Sequence, residues 1–127
     1  MKKKVTTEKA PEPVGPYSQA VIAGNLVFTA GQAGLDPQTG KVVTGGIAAQ
    51  TRQALRNLEA VLEAAGSGLD QALKTTVFLA DMDDAAAMNE AYKSFFKKDP
   101  PARSTVQAAR LPLDALVEIE LVASAGD

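Results

Sequence analysis

The sequence predicts an α+β fold in which two amphipathic helices lie on one face of a single mixed β-sheet. Three observations carry that expectation. Two windows, 47–65 and 85–97, repeat apolar residues at helical spacing. Short β-branched runs surround them, and the last, 116–123, alternates Val117, Ile119 and Leu121 with Glu118 and Glu120. The order is strand, hairpin, helix, strand, helix, strand, strand. A strand–helix–strand crossover is right-handed, which places both helices together. At 127 residues the chain makes one domain, 1–127.

In chain order, a short N-terminal strand leads into an extended segment where Pro11, Pro13 and Pro16 forbid a helix. Residues 17–23 read as a strand, Gly24-Asn25 as a two-residue hairpin turn, and 26–30 as the returning strand. Residues 31–34, Gly-Gln-Ala-Gly, read as irregular backbone, and 36–40 as a turn before Lys41-Val-Val43. In the first helix Ile47, Thr51, Ala54, Leu55, Leu58, Val61, Leu62 and Ala65 form the buried stripe, with Gln50 and Asn57 mostly away from it. Gly66 stands where a C′ glycine stops a helix. One short turn at 69–72 precedes a strand at 73–80. The second helix, capped by Asp83 or Asp84, buries Ala85, Met88, Tyr92, Phe95 and Phe96 and ends at Pro100-Pro101. A strand at 104–108, a turn at 110–114 and the alternating run complete the sheet. The helices cover one sheet face only, yet the strands are apolar or small on both. The uncovered face predicts self-association, with ligand sites between subunits.

Composition excludes several function classes. The net charge of −2 and five per cent aromatics disfavour nucleic-acid binding. No apolar run is long enough to span a membrane, and MKKKVTTEKAPEP lacks the apolar core of a secretory leader, so a cytoplasmic address is expected. The chain has no Cys and no His, which removes thiol catalysis, histidine triads and almost all zinc sites. Asp81-Met-Asp-Asp84 lacks the spacing of a calcium loop, and no phosphate-binding glycine motif occurs, so no metal or cofactor is expected. Chemistry must then use Arg, Lys, Tyr, Ser, Thr, carboxylates, backbone groups or water.

The stretch 100–123 concentrates such groups and reads as the wall of a small anion-binding site. Arg103 follows two prolines and begins a strand, where a guanidinium can take a carboxylate in a bidentate pair; a surface ion pair is the plainer alternative. Glu118 and Glu120 share one sheet face, where one could hold or deprotonate a water, or both could simply be solvated. Tyr17 could face a ligand or a subunit edge. Gly31 and Gly34 could allow close backbone approach or merely serve turns. Asn89, on the second helix, could line a cleft or be exposed.

Taken together, these residues lie within a recognisable series: GPYSQAV at 15–21, FTAGQ at 28–32, DPQTGKVV at 36–43, KTTVFLADMDD at 74–84, NEAYKSFF at 89–96, PPARSTV at 100–106 and ARLPLDALVEIELVA at 109–123. Over nearly its whole length the chain resembles the Rid family of reactive intermediate deaminases, in its arginine-containing branch. The resemblance implies a chorismate-mutase-like fold and a homotrimer with clefts between subunits. It implies cofactor-free hydrolysis of short 2-imino acids, such as 2-iminobutanoate and 2-iminopropanoate, to 2-keto acids and ammonia. It assigns Arg103 to the substrate carboxylate and Glu118 to the water, with Tyr17, Gly31, Asn89 and Thr105 as further binding positions. Family members often carry Ser at Ala30 and Cys at Thr105, and some have a longer segment between Phe96 and Pro101. These departures bear on substrate preference. A non-catalytic 2-keto acid sensor using the same cleft is the alternative. Ribonuclease activity finds no basic groove, histidine pair or aromatic platform here.

Overall fold

The computed structural model describes residues 1–125, so the last two residues of the expected domain lie outside the described residues. Its sheet is built around β7 (Val117–Ser124), whose alternation is read directly into burial. Val117, Ile119, Leu121 and Ala123 are buried, Glu118 is half-buried and Glu120 is exposed. Burial of Val117, Ile119 and Leu121 contributes about 1.5–3 kcal/mol each before entropy is counted. β7 pairs antiparallel with β5 (Ala72–Leu79) along one edge. Its other edge is shared end to end by β3 (Leu26–Thr29) and β4 (Gln32–Ala33). The hairpin partner β2 (Ala20–Ala23) and then β1 (Lys2–Val5) extend the sheet beyond β3, and β6 (Ala102–Gln107) closes the opposite end. β6 runs parallel to β5, which makes the sheet mixed.

Helices α1 (Gly46–Ala64) and α2 (Ala85–Lys93) lie together on the face of Val117, Ile119 and Leu121. Leu55, Leu58 and Leu62 of α1 and Met88 and Tyr92 of α2 meet the sheet there, in one continuous core. The fold is the expected chorismate-mutase-like α+β arrangement. No helix among the described residues is long and apolar enough to cross a membrane. The other sheet face carries Phe28, Phe78, Val106 and Val122 beside Thr76, Ser104, Glu118 and Glu120. Neither helix covers it, and Phe28 and Val106 are 40% and 44% exposed.

Several local expectations change. The strand expected at 17–23 begins only at Ala20. Gln19 is buried beneath the proline-rich entry, where its carboxamide replaces strand pairing: the Thr7 N–H donates to Oε1 at 2.8 Å, and Nε2 donates to the carbonyls of Thr7 and Pro11 at 3.0 and 2.9 Å. At the hairpin only Gly24 takes a left-handed φ, of 60°, as a turn with glycine at its first central position requires. The segment 31–34, expected to be irregular, contains β4. Gln50 and Asn57 belong to the buried side of α1. Gly66 does stop α1, with the Ser67 N–H reaching the Leu62 carbonyl at 2.8 Å. Neither Asp83 nor Asp84 caps α2 through its side chain; Asp81 instead accepts the Asp83 N–H at 2.9 Å. α2 ends four residues early because the chain tightens into i→i−3 turns. Phe96 nevertheless stays in the core, its ring 4.7 Å from that of Tyr92.

Candidate active site

Glu118 lies on the open face of β7, between the buried Val117 and Ile119. Its carboxylate rests over the backbone of Gly31, just before β4. A Cβ at Gly31 would stand 2.8 Å from Glu118 Cδ, so only glycine leaves room for this side chain. Together with Tyr17, they line a cleft of about 360 Å³ whose walls include Pro11, Val14 and Leu113. Tyr17 precedes the strand rather than beginning it, and is half exposed. Burial pushes the Glu118 carboxyl above its ordinary range, and the Glu120 charge on the same face pushes it further.

This corner is fixed from behind by polar groups of α1. Asn57 Nδ2 donates to the carbonyls of Ala33 and Leu35 at 3.2 and 2.9 Å, while its Oδ1 accepts from Gln53. Gln50 Oε1 accepts the Leu116 N–H at 2.9 Å, just before Glu118. Gly34 lets the helix approach this closely, since a Cβ there would stand 2.6 Å from the Gln50 Cα. Gln19 plays the same part for the Pro11–Tyr17 side. Their polar composition hid Gln50 and Asn57 from the sequence reading. The usable signal was their spacing of seven, which aligns them with Ala54 and Val61 on one helical row.

Arg103 belongs elsewhere. β6 places it opposite Thr75, which β5 in turn places opposite Leu121. Thr75 and Leu121 are buried under the helices, so Arg103 stands on the helix face of the sheet, at its edge. Its guanidinium stacks over the Tyr92 ring, 4.8 Å from the centroid, an interaction worth about 0.5–1 kcal/mol at an exposed site. Tyr92 is anchored by a 2.7 Å hydrogen bond between its hydroxyl and that of Thr75. Burial raises the Tyr92 pKa, against the lowering effects of Thr75 and Arg103, so the phenol keeps its proton. The stripe residue Tyr92 thus doubles as the platform for Arg103, a role that its helical spacing alone did not reveal.

Thr105 shares this edge and face, and its buried Oγ1 has no hydrogen-bond partner among the described residues. Asn89 is exposed on α2, one turn before Tyr92 and therefore on the same side of the helix. The stretch 100–123 is therefore not one wall within a single chain. Arg103 and Thr105, with Asn89 nearby, lie together at the β6 edge on the helix face, while Glu118, Gly31 and Tyr17 gather at the cleft beside the opposite face. No group of side chains suited to a metal ion occurs among the described residues.

Residues 7–125 match the family described as Endoribonuclease L-PSP. The RutC family protein UK114 of Drosophila melanogaster is 53% identical over 126 residues, covering 99% of this chain and 91% of that one. A human protein named 2-iminobutanoate/2-iminopropanoate deaminase is 46% identical, over 96% of this chain and 89% of its own. Among solved structures, a Thermotoga maritima protein described as a putative endoribonuclease superposes with a TM-score of 0.95 at 46% identity, covering both chains completely. The structure of E. coli TdcF with bound serine gives 0.93 at 42% identity, over 98% of this chain and 99% of that one. The chain belongs to the L-PSP endoribonuclease family, which is also that of the Rid and RutC proteins.

Proposed function

We propose that this protein hydrolyses short 2-imino acids to 2-keto acids and ammonia, at sites completed between copies of the chain in a homotrimer. The observation that carries the reading is Glu118: a half-buried carboxyl, raised in pKa, set over Gly31 in an otherwise largely apolar cleft. A carboxyl whose pKa is moved toward neutrality is suited to both accepting and returning a proton. The human relative's name, 2-iminobutanoate/2-iminopropanoate deaminase, supports the substrate class.

An imine is already electrophilic at C2, so its hydrolysis needs no metal, thiol or histidine. Arg103 of one copy pairs with the substrate carboxylate and turns C2 toward a water beside Glu118 of the next. Glu118 takes a proton from that water as its oxygen bonds to C2 and the C=N π pair moves to nitrogen, to which Glu118 then passes the same proton, giving a neutral carbinolamine. The Glu118 carboxylate next takes the carbinolamine hydroxyl proton and delivers it to the amine. The C–N bond breaks as the hydroxyl oxygen forms the carbonyl, releasing ammonia and the 2-keto acid. Asn89 and the Thr105 backbone line the Arg103 side, and Tyr17 and Gly31 the Glu118 side.

The family's description also names ribonuclease activity, but the net charge of −2 and the absence of histidine fit a small anionic substrate better than RNA. The deciding measurement uses freshly generated 2-iminopropanoate and follows 2-keto acid and ammonia release with and without protein. Acceleration is expected, with Arg103→Ala lowering kcat/KM by roughly two to three orders of magnitude. Release at the uncatalysed rate would overturn the enzyme and leave a 2-keto acid sensor.

A further inference from the structure

Beside Glu118 the cleft carries a feature that water and proton transfer do not use. The turn between β6 and β7 contains Leu113 at φ 58° and ψ 23°, followed by Asp114 at φ 52°. Consecutive non-glycine residues in the left-handed region are uncommon, and for leucine nothing local compensates. The turn is held by its surroundings. Pro112 fixes the entry, the Asp114 and Ala115 N–H groups reach the carbonyls of Leu111 and Pro112 at 3.1 and 3.2 Å, and Arg110 Nε donates to Asp114 Oδ1 at 2.9 Å. The result is a large apolar side chain, 62% exposed, at the wall of the cleft.

The remaining walls match it. Pro11, Val14, Leu35 and Pro112 line the same cleft, with Glu118 supplying a charge beside them. The cleft of about 360 Å³ in one copy is open on one side, where a neighbouring copy would narrow it, so it is the apolar character of its walls that bears on the substrate. A strained backbone that presents an apolar side chain at a reactive carboxyl is explained by an apolar group that contacts it.

We propose that Leu113 is a specificity-determining residue: it contacts the side chain of the substrate and favours 2-imino acids with branched or extended apolar chains over the methyl-bearing one. This inference rests on the imine-hydrolase reading above. The carboxylate and C2 lie between Arg103 of one copy and Glu118 of the next, and the side chain runs along Leu113, Val14 and Pro11. Leu113 acts on binding and leaves proton transfer untouched.

The test compares imines generated in situ from L-leucine and L-alanine by an amino-acid oxidase, their loss followed by competition with semicarbazide. Wild type is expected to favour the leucine-derived imine. Leu113→Gly, which accepts the left-handed backbone, should lower kcat/KM for that imine about tenfold, chiefly through KM, and change the alanine-derived imine by less than about twofold. Leu113→Asn, also tolerant of that backbone, should behave alike. Equal losses on both imines, accompanied by altered sedimentation, would overturn the proposal by making Leu113 a contact between copies. An unchanged ratio would overturn it while leaving the hydrolase intact. Failure of the wild type on both imines would remove the hydrolase reading itself and this inference with it.

Discussion

Arg103→Ala and Glu118→Gln chains, each inactive alone, are expected to restore activity when assembled together. Within one chain the two side chains are separated by two strand spacings and three residues along the strands, roughly 14 Å between backbones, and point to opposite faces. No rotamer of either bridges that gap through the sheet. If each site takes Arg103 from one copy and Glu118 from its neighbour, an equal mixture assorted at random completes a site only when the first position holds the Glu118→Gln chain and the next the Arg103→Ala chain. About a quarter of the sites are then intact, whatever the size of the ring. Each variant alone should retain about three per cent of activity or less, from the roughly 2–5 kcal/mol lost with a desolvated charged partner. Two differently tagged variants are co-expressed and kcat per chain is compared with each variant alone; isolating doubly tagged trimers discards the pure assemblies and raises the intact fraction from about a quarter to about a third. A mixture no more active than its components would refute sites shared between copies.

Three further outcomes follow from the Glu118 corner. Native Glu118 holds its proton to higher pH than the unfolded chain does, so stability should fall as pH rises from the ordinary carboxyl range through the elevated one, then level off; urea midpoints against pH should show that decline, under about 1 kcal/mol for a half-exposed group, and Glu118→Gln should lack it. Gly31→Ala should cut kcat at least about tenfold and cost about 1–3 kcal/mol, because the new Cβ displaces the carboxylate, and an unaffected kcat would show that its position is unimportant. Asn57→Leu should cost about 2–3 kcal/mol by orphaning the Ala33 and Leu35 carbonyls, read in the urea midpoint, and a change within about 0.5 kcal/mol would discount that tie.

The sequence announces α1 and β7 because each carries a long, single-period pattern that burial then reproduces. β4 is silent for the opposite reason. Two residues, Gln32 and Ala33, have little strand propensity of their own and become a strand because β7 offers its free edge. Gln50 and Asn57 carry no core signal because polar side chains ordinarily face water, whereas each, like Gln19, satisfies backbone groups that a proline-rich or irregular segment cannot pair. Arg103 and Glu118 stand out in the sequence as candidates, but their spatial relation does not. Which face Arg103 takes depends on the register of β6 against β5 and of β5 against β7, and no local pattern in the exposed run Ala102–Gln107 sets that register.

That division imposes a condition on the assembly. In the proposed shared site, Arg103 lies at the β6 edge on the helix side and Glu118 on the open face near β4, so the two surfaces that would meet are different patches of the same molecule. Copies joined by unlike patches form either a closed ring or an open filament. Closure requires a contact that turns each copy back toward the first, and the open sheet face, with Phe28, Phe78, Val106 and Val122, supplies apolar area for it. The requirement ties stability to function: a polar substitution at Val106, on the sheet face opposite Arg103 and outside both groups of site residues, should reduce assembly and activity together, because it removes the neighbour that completes the site.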